Sequence, residues 1–510
     1  MKVLFRSRDF ASINGGGLGF NHMRPLASPW HYQGRVQHRD WQGTFTCWWD
    51  GPEVLWSVQG DERLFRLAAA LKGRGLQVEV TPDGAEEKER AMTEQTSRRI
   101  LLLMSPATYR AGAFLNAARH LHLEVVVGID LPETLAEYWH VPLGLDFNDP
   151  EASLRTIIDY HREHPLAAIL SVDDSASELA ARACAALHLP HNSPQAAEAA
   201  RDKLLMRTLM ARGGAPCPVF RPFRLSEDPH WIANQVSYPC VVKPLRLSGS
   251  RGVMRANNPQ EFVPAFLRLK RLLLSEGYLE GETSILVEDF IPGFEVALEG
   301  LLTDGQLKVL ALFDKPDPLD GPFFEETIYV TPSRLPEQTQ AEIARCVALA
   351  SASLGLLTGP VHAELRVNEQ GPWMLEIAGR SIGGLCSTVL EFGSGLCLEE
   401  LILRHAIGED VAGVEREEQA AGVMMIPIPA AGLLKGVHGV EEARQVPLIT
   451  GIEITAKLNY SLVPLPEGAS YLGFIFARGQ TPAEVEAAIR QAHRLLHFEI
   501  RPELPILRPV

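Results

Sequence analysis

The chain is short of features that would place it in several large protein classes. Its seven cysteines (47, 184, 217, 240, 346, 386 and 397) include no Cys-x-x-Cys pair. A zinc-binding module and a disulfide framework are both disfavoured, and a reducing compartment fits best. No run of roughly 18 apolar residues occurs, so no membrane-spanning helix is expected. Arg6, Arg8 and Asp9 stand where a secretory leader would need its apolar core, which points to a cytoplasmic protein. Positive charge is also scarce: 48 Lys and Arg against 63 Asp and Glu give a net charge of −15. Non-specific nucleic-acid binding and attachment to an anionic membrane are therefore not expected, although a local basic pocket is still allowed. There is no internal repeat and no low-complexity segment. A hydrophobic content of 46% over 510 residues supports about three domains, each with its own core.

Residues 1–97 differ in character from the rest of the chain. They hold five of the eight tryptophans (30, 41, 48, 49 and 56) and a glycine cluster at Asn14–Gly19 that reads as a flexible loop. They end in a polar run, Ala85–Ser97, that reads as a linker or an exposed helix. The segment reads as an N-terminal extension or small appended domain of unknown role. From Arg98 the chain alternates short apolar runs with helical patterns. Strands are expected at 100–104, 123–129 and 166–172, and helices at 111–121, 132–139, 152–161 and 177–189. That rhythm implies a parallel sheet with crossovers, a Rossmann-like domain over 98–190. It has no Gly-x-Gly-x-x-Gly after its first strand, so no dinucleotide is assigned to it.

The next block, 191–412, concentrates residues that chemistry would need. Asn192-Ser193-Pro194 opens a helix expected to run through Lys203 to about Gly213. A strand, Tyr238–Lys243, holds one lysine among apolar neighbours and leads into Leu247-Ser-Gly-Ser-Arg-Gly-Val253. Backbone donors and a cation together suit a polyphosphate, yet the lysine precedes the glycines, so this is not a Walker loop. Ile285–Gly300 comes next with Glu288 and Glu295, and Lys315 is expected just after a strand at 307–313. An amphipathic helix, Gln338–Leu354, precedes a hairpin whose strands are expected at Val361–Val367 and Trp373–Ile377. Its two acids, Glu364 and Glu376, lie on otherwise apolar strands. Paired carboxylates there would suit a hard divalent cation, and Arg380 just beyond could hold a phosphate. Two exposed acids on a solvent-facing hairpin remain the plainer reading of that stretch. Likewise, Lys203 could be an ordinary solvated lysine, and His362 reads as a packed or surface histidine. Residues 418–510 are expected to form a further α+β unit with strands near 422–428, 452–458 and 471–477 and a helix at 482–496.

A lysine on a helix, a lysine on a strand, a glycine-rich loop, Val287-Glu-Asp-Phe-Ile-Pro-Gly-Phe-Glu295, then Glu364 and Glu376-Ile-Ala-Gly-Arg380 appear in that order. This order resembles the ATP-grasp superfamily, most of all its carboxylate–amine ligases of the bacterial L-amino acid ligase type. The resemblance covers roughly 98–510, including Tyr471-Leu-Gly-Phe-Ile-Phe-Ala-Arg478, and not 1–97. It implies a multidomain α/β and α+β fold: a Rossmann-like pre-ATP-grasp domain, an ATP-grasp domain of two α+β lobes clamping ATP, and a C-terminal α+β domain. It implies that Lys203 and Lys243 contact the ATP phosphates and that Ser248, Gly249, Ser250 and Gly252 belong to a lid. Glu288, Asp289 and Phe290 would border the adenine, and Glu295 the ribose. Glu364 and Glu376 would bind Mg²⁺ or Mn²⁺, Arg380 would stabilise the transferred phosphoryl group, and Lys315 would reach the γ-phosphate or the substrate carboxylate. Ala378 departs from the family pattern, which has asparagine there as a further metal ligand. The activity implied is ADP-forming amide synthesis from small-molecule carboxylate and amine substrates, amino acids above all, by a possible homodimer. Other acceptors used by the same fold, in purine-biosynthesis, biotin carboxylase-like or acid–thiol enzymes, are alternatives, as is a non-catalytic nucleotide-binding role.

Overall fold

The computed structural model describes residues 98–502, apart from 107, 139–140 and 394, together with six strands between residues 2 and 81. The glycines at 15–17 and the polar run Ala85–Ser97 lie outside the described residues. The chain divides into two compact units, 1–107 with 122–170 and 108–121 with 171–510. These interleave in sequence.

In the first unit, Leu18–Pro25, His31–His38, Trp41–Asp50, Glu53–Gln59, Lys2–Ser7 and Val78–Thr81 lie side by side in that order as one sheet. Its paired neighbours run antiparallel. A second sheet places Arg99–Met104 parallel to Glu124–Asp130, which is parallel to Leu143–Leu145. Parallel strands buried on both faces read as near-continuous apolar runs, and Ile100–Leu103 are fully buried.

In the second unit, Ser193 caps a short helix, Pro194–Ala199, and Asp202 caps another, Lys203–Gly213. The single helix expected across this region is broken because the Asp202 carboxylate accepts from the N–H groups of Leu204 and Leu205, both at 3.0 Å. Such a cap requires extended backbone at Asp202, and Lys203 therefore starts a helix instead of lying within one. A four-stranded sheet comes next, in the order Phe220–Arg224, Ser284–Asp289, Cys240–Pro244, Met254–Ala256. The helix Pro259–Ser275 packs on it through Phe262, Phe266 and Leu269.

An eight-stranded sheet forms the centre of the unit. Its order is Gly371–Ala378, Gly359–Asn368, Phe294–Thr303, Gln306–Lys315, Ile328–Thr331, Ala420–Ile426, Gly473–Gly479, Ile449–Ile454. No break in the sheet falls at 412–418. Three strands beyond residue 418 extend the same sheet, because Ile328–Thr331 pairs with Ala420–Ile426, whereas Ser461–Leu462, Gly432–His438 and His497–Arg501 form a separate three-stranded sheet. Lys315 ends its strand, pairing with Glu295, instead of coming after it.

The period of two along these strands separates two faces. Val296, Leu298, Val361, Ala363, Leu365 and Ile377 face an apolar core shared with Ile343, Val347 and Ala350 of the helix Glu337–Leu354 and with Met206 and Met210. The opposite face carries charge. In register on it are Glu295 with Lys315 and Arg366, Glu299 with His362, and Glu364 with Glu376. His362 and Glu299 are both buried, with Nδ1 2.5 Å from the Glu299 carboxylate. Burial opposes protonation of the imidazole, but Glu299 and then Glu364 win, raising its pKa from 6.5 to about 9.

Two outcomes are expected from these contacts. Asp202→Ala should cost about 1 kcal/mol in urea unfolding, the usual worth of an N-cap. A folded-state histidine pKa above the unfolded value stabilises fully below about pH 6.5 and loses that contribution as pH rises through about 9. In the nucleotide-free protein, His362→Gln should therefore be most destabilised relative to the parent near pH 6. Unfolding curves taken across the alkaline range should show the gap closing, and a gap independent of pH would remove the charged pair.

Candidate active site

One cavity of ≈ 290 Å³ opens on the charged face of the central sheet. Lys203, Lys243, Ser248, Gly249, Ser250, Glu288, Asp289, Phe290, Glu295, Glu364, Glu376 and Arg380 all line it. These twelve residues were singled out from sequence and span almost 180 positions. Gly252 and Lys315, also singled out, do not line the cavity, and each has a definite place nearby.

The cation end is built from two elements. Lys203, presented by the Asp202 cap, donates from Nζ to the Leu247 carbonyl at 2.9 Å and lies 3.1 Å from a Glu376 oxygen. It thus bridges the glycine-rich loop and the hairpin. Lys243 is buried on its strand and paired with Glu288. Burial pulls the Lys243 pKa down from 10.5 to about 8, against the upward pull of Glu288. Glu288 is held on its other side by Arg207, with Nε at 2.9 Å and Nη2 at 3.3 Å. Its carboxylate is therefore occupied by two cations, and the backbone that follows is bonded too: the N–H groups of Asp289 and Phe290 donate to the Val219 and Pro239 carbonyls at 2.9 and 3.0 Å, and the Ile291 carbonyl accepts from Arg366 Nη1 at 3.0 Å. Arg207 itself is fully buried and donates to the Leu375 carbonyl at 2.5 Å. Leu375 is the bulge residue where the hairpin register shifts, and the bulge turns its carbonyl toward the arginine.

In the glycine-rich loop, Gly249, Ser250 and Gly252 have positive φ of 65°, 54° and 75°. Gly252 packs against the helix Pro259–Ser275, where an added Cβ would meet Leu269 at 2.8 Å. Its N–H donates to the Pro466 carbonyl at 2.8 Å, and Arg251 Nε donates to the Glu467 carbonyl at 2.6 Å. Arg268 grips the Glu467 carboxylate with two bonds, 2.5 and 2.8 Å. The loop is thus tied to a segment two hundred residues downstream, a link that no local pattern signals.

The acidic end centres on Lys315. Its Nζ lies 2.9 Å from Glu295, 2.5 Å from Glu326 and 3.3 Å from Glu364. Among the described residues these three glutamates are also close enough together to share one ion. Burial would lower the lysine pKa, but Glu326 and Glu364 raise it well above its usual value. Burial, then Glu364, pushes Glu326 up to about 7, whereas Lys315 and His362 overcome burial to hold Glu364 well below the carboxylate range. Lys315 is thus fully engaged by carboxylates and does not reach the cavity. Glu295 is shared between Lys315 and Arg366 Nε at 3.0 Å. Glu364 and Glu376 stand opposite one another across the hairpin, and both face the cavity. Two carboxylates on adjacent strands form a hard-oxygen donor set that fits a divalent cation. Ala378, in register with His362, adds no donor.

Arg380 is buttressed from behind. Its Nη2 bonds Asp174 at 2.7 Å and its Nη1 the Ser381 carbonyl at 2.9 Å. Asp174, which opens the short 3-10 helix Asp174–Ala176 after the strand Ala168–Ser171, raises the Arg380 pKa further against burial. Arg110, buried, donates to the Val172 carbonyl at 2.8 Å and to Ser381, while Glu299 accepts from the Ile382 N–H at 3.1 Å. Both ends of the short segment after Arg380 are fixed by these groups.

Sequence reasoning missed Arg207, Glu299, Glu326 and Arg366. Two of them carried a signal. Arg207 sits one helical turn after Lys203, and His362, Glu364 and Arg366 alternate along one strand. Arg366 also lies over the Phe290 ring at 4.8 Å, with Arg255 over the same ring at 3.9 Å. Guanidinium groups on an aromatic ring brace the Phe290 side of the cavity.

Parts of the chain also resemble known families and structures. Residues 115–191 match an ATP-grasp N-terminal domain, 236–389 an ATP-grasp domain, and 424–501 an L-amino acid ligase C-terminal domain 2. A crystal structure of an L-amino acid ligase from Bacillus licheniformis superposes with a TM-score of 0.68 at 27% identity, covering 80% of this chain and 100% of that one. An uncharacterised protein of Sinorhizobium fredii is 21% identical over 411 residues, 79% of this chain and 84% of its own. Alanine–anticapsin ligase of Bacillus subtilis is 28% identical over 239 residues, 44% of this chain and 50% of that ligase. The chain thus spans about half the length of that ligase. No helix among the described residues is long and apolar enough to cross a membrane. The chain belongs to the ATP-grasp ligases, with an ATP-grasp N-terminal domain, an ATP-grasp domain and an L-amino acid ligase C-terminal domain.

Proposed function

We propose that the protein joins the carboxylate of one amino acid to the amine of another, releasing ADP and phosphate. The observation that supports this most is the convergence of Lys203, Lys243, Glu364, Glu376 and Arg380 on one cavity. The match of 424–501 to an L-amino acid ligase domain favours an amine acceptor over bicarbonate or a thiol.

In this reading, the lysines neutralise phosphate oxygens, and Ser248–Ser250 offer backbone donors from above. The two arms of Glu295, on Lys315 and Arg366, hold its carboxylate ready to accept from the ribose hydroxyls. Mg²⁺, bound through Glu364 and Glu376, would supply further neutralisation of the triphosphate. A substrate carboxylate oxygen attacks the γ-phosphorus as the bond to the β–γ bridging oxygen breaks and ADP leaves. Arg380, oriented by Asp174, faces the equatorial oxygens where charge accumulates. An amine then attacks the acyl carbon, loses a proton, and expels phosphate. The acyl phosphate is labile in water, so the closed loop over the cavity serves to exclude it.

Glu376→Gln is expected to lower turnover by about 100-fold or more, while nucleotide still binds within about tenfold of the parent. Product formation is read as ADP and dipeptide by mass spectrometry over amino-acid pairs, and nucleotide binding by calorimetry. A variant of full activity would remove Glu376 from the chemistry. ADP without any amide product would count against the ligase reading itself.

A further inference from the structure

The cavity continues past Arg380 into an end of different character. Its wall there is Ile382, Cys386, Met425 and Phe474, all buried, with Tyr109 and Tyr471 beside them. The three rings form a cluster, Tyr109 edge-on to Phe474 at 6.3 Å and Tyr471 tilted to it at 6.3 Å. Phe474 is fixed from below by stacking on Phe476 at 6.2 Å. Gly384 lies against the same ring: with φ of +60°, it keeps the wall clear where an added Cβ would come within 3.0 Å of Phe474. None of these side chains brings the charge that a phosphate or Mg²⁺ would need. Their thioether, thiol and aromatic surfaces suit an apolar group with several carbons.

Charge is confined to the rim of this end. Arg380 lies two residues before Ile382, and Glu326 lines the same cavity as Tyr471 and Cys386. An α-amino acid has a matching layout, with a carboxylate, an ammonium group and a side chain diverging from one carbon. With its carboxylate toward Arg380 and its ammonium toward Glu326, its side chain enters the ring cluster. We infer that this end is the side-chain subsite of the acyl donor, and that the donor is an amino acid with a large apolar side chain, such as phenylalanine, leucine or methionine. The donor is assigned over the acceptor because Ile382–Gly384 continue directly from the arginine at which phosphoryl transfer is proposed. The inference rests on the ligase reading above.

Hydroxylamine, replacing the amine substrate, isolates the donor. It traps an acyl phosphate as the hydroxamate, so the amount formed with ATP and one amino acid reports donor use alone. The full chain is assayed with glycine, alanine, aspartate, lysine, leucine, methionine and phenylalanine. The large apolar acids should exceed the others in kcat/KM by about tenfold or more, the discrimination a hydrophobic pocket can supply. Tyr109→Ala, at a ring that is 45% exposed and outside the core, should lower kcat/KM for phenylalanine about tenfold and leave that for alanine within about twofold. Preference for glycine, alanine or a charged acid, or an equal effect of Tyr109→Ala on all donors, would overturn the inference and leave the ligase reading standing. Hydroxamate from none of the acids overturns both.

Discussion

One ammonium group holds the acidic side of the site together. Lys315 lies within 3.3 Å of three carboxylates on three different stretches of chain, Glu295, Glu326 and Glu364. Two unit charges at 4 Å repel by about 4 kcal/mol at the effective dielectric of a protein near its surface, and more when buried. Three glutamates could not share this space ionised without the lysine. With it, Glu364 is held well below the carboxylate range, while burial and Glu364 raise Glu326 to about 7. Lys315 therefore acts on the ligands of the site and not on the ligand-binding space itself.

That arrangement depends on strand register. Glu295 stands opposite Lys315 on one side and Arg366 on the other, and Glu299 opposite His362, because three antiparallel strands keep one face in phase. A slip of one residue would turn every one of these charges into the apolar core of Val296, Leu298 and Val361. The core and the site thus specify each other. Burying the apolar face fixes the register, and the register sets the ion pairs. The bulge at Leu375 is a local exception with a use, since its carbonyl meets Arg207, which in turn holds Glu288.

Much of this was legible in the sequence, because the chemistry needs particular residue types at particular places along strands. A lysine within Val241-Val242 and acids among the apolar residues of a hairpin cost too much to bury without a purpose. The break before Lys203 was less legible. Aspartate is a good cap, but an unbroken helix explains the same apolar spacing. Arg207 and Arg366 were passed over because arginine at such positions reads equally well as solvated surface, and only their burial distinguishes them. The tie between the glycine-rich loop and Glu467 joins positions some two hundred residues apart and leaves no local pattern. His362 was read as a packed or surface histidine, and it is buried. Its two carboxylate partners are what that reading did not contain.

The strands after residue 418 bear on all of this. Three of them extend the central sheet, and this part of the chain reaches the site at two places. Pro466 and Glu467 hold the glycine-rich loop on one side, while Met425, Tyr471 and Phe474 wall the apolar end on the other. Phe474 lies on the strand Gly473–Gly479, which is hydrogen-bonded within the sheet, so its ring cannot shift without disturbing that pairing. Glu467 is on a loop and held by arginines, so it can release at lower cost. The same segment thus presents a strand-held wall on one side of the cavity and a loop held by arginine contacts on the other. An appended domain joined by a linker could not combine the two, because both depend on continuity with the sheet that carries the glutamates.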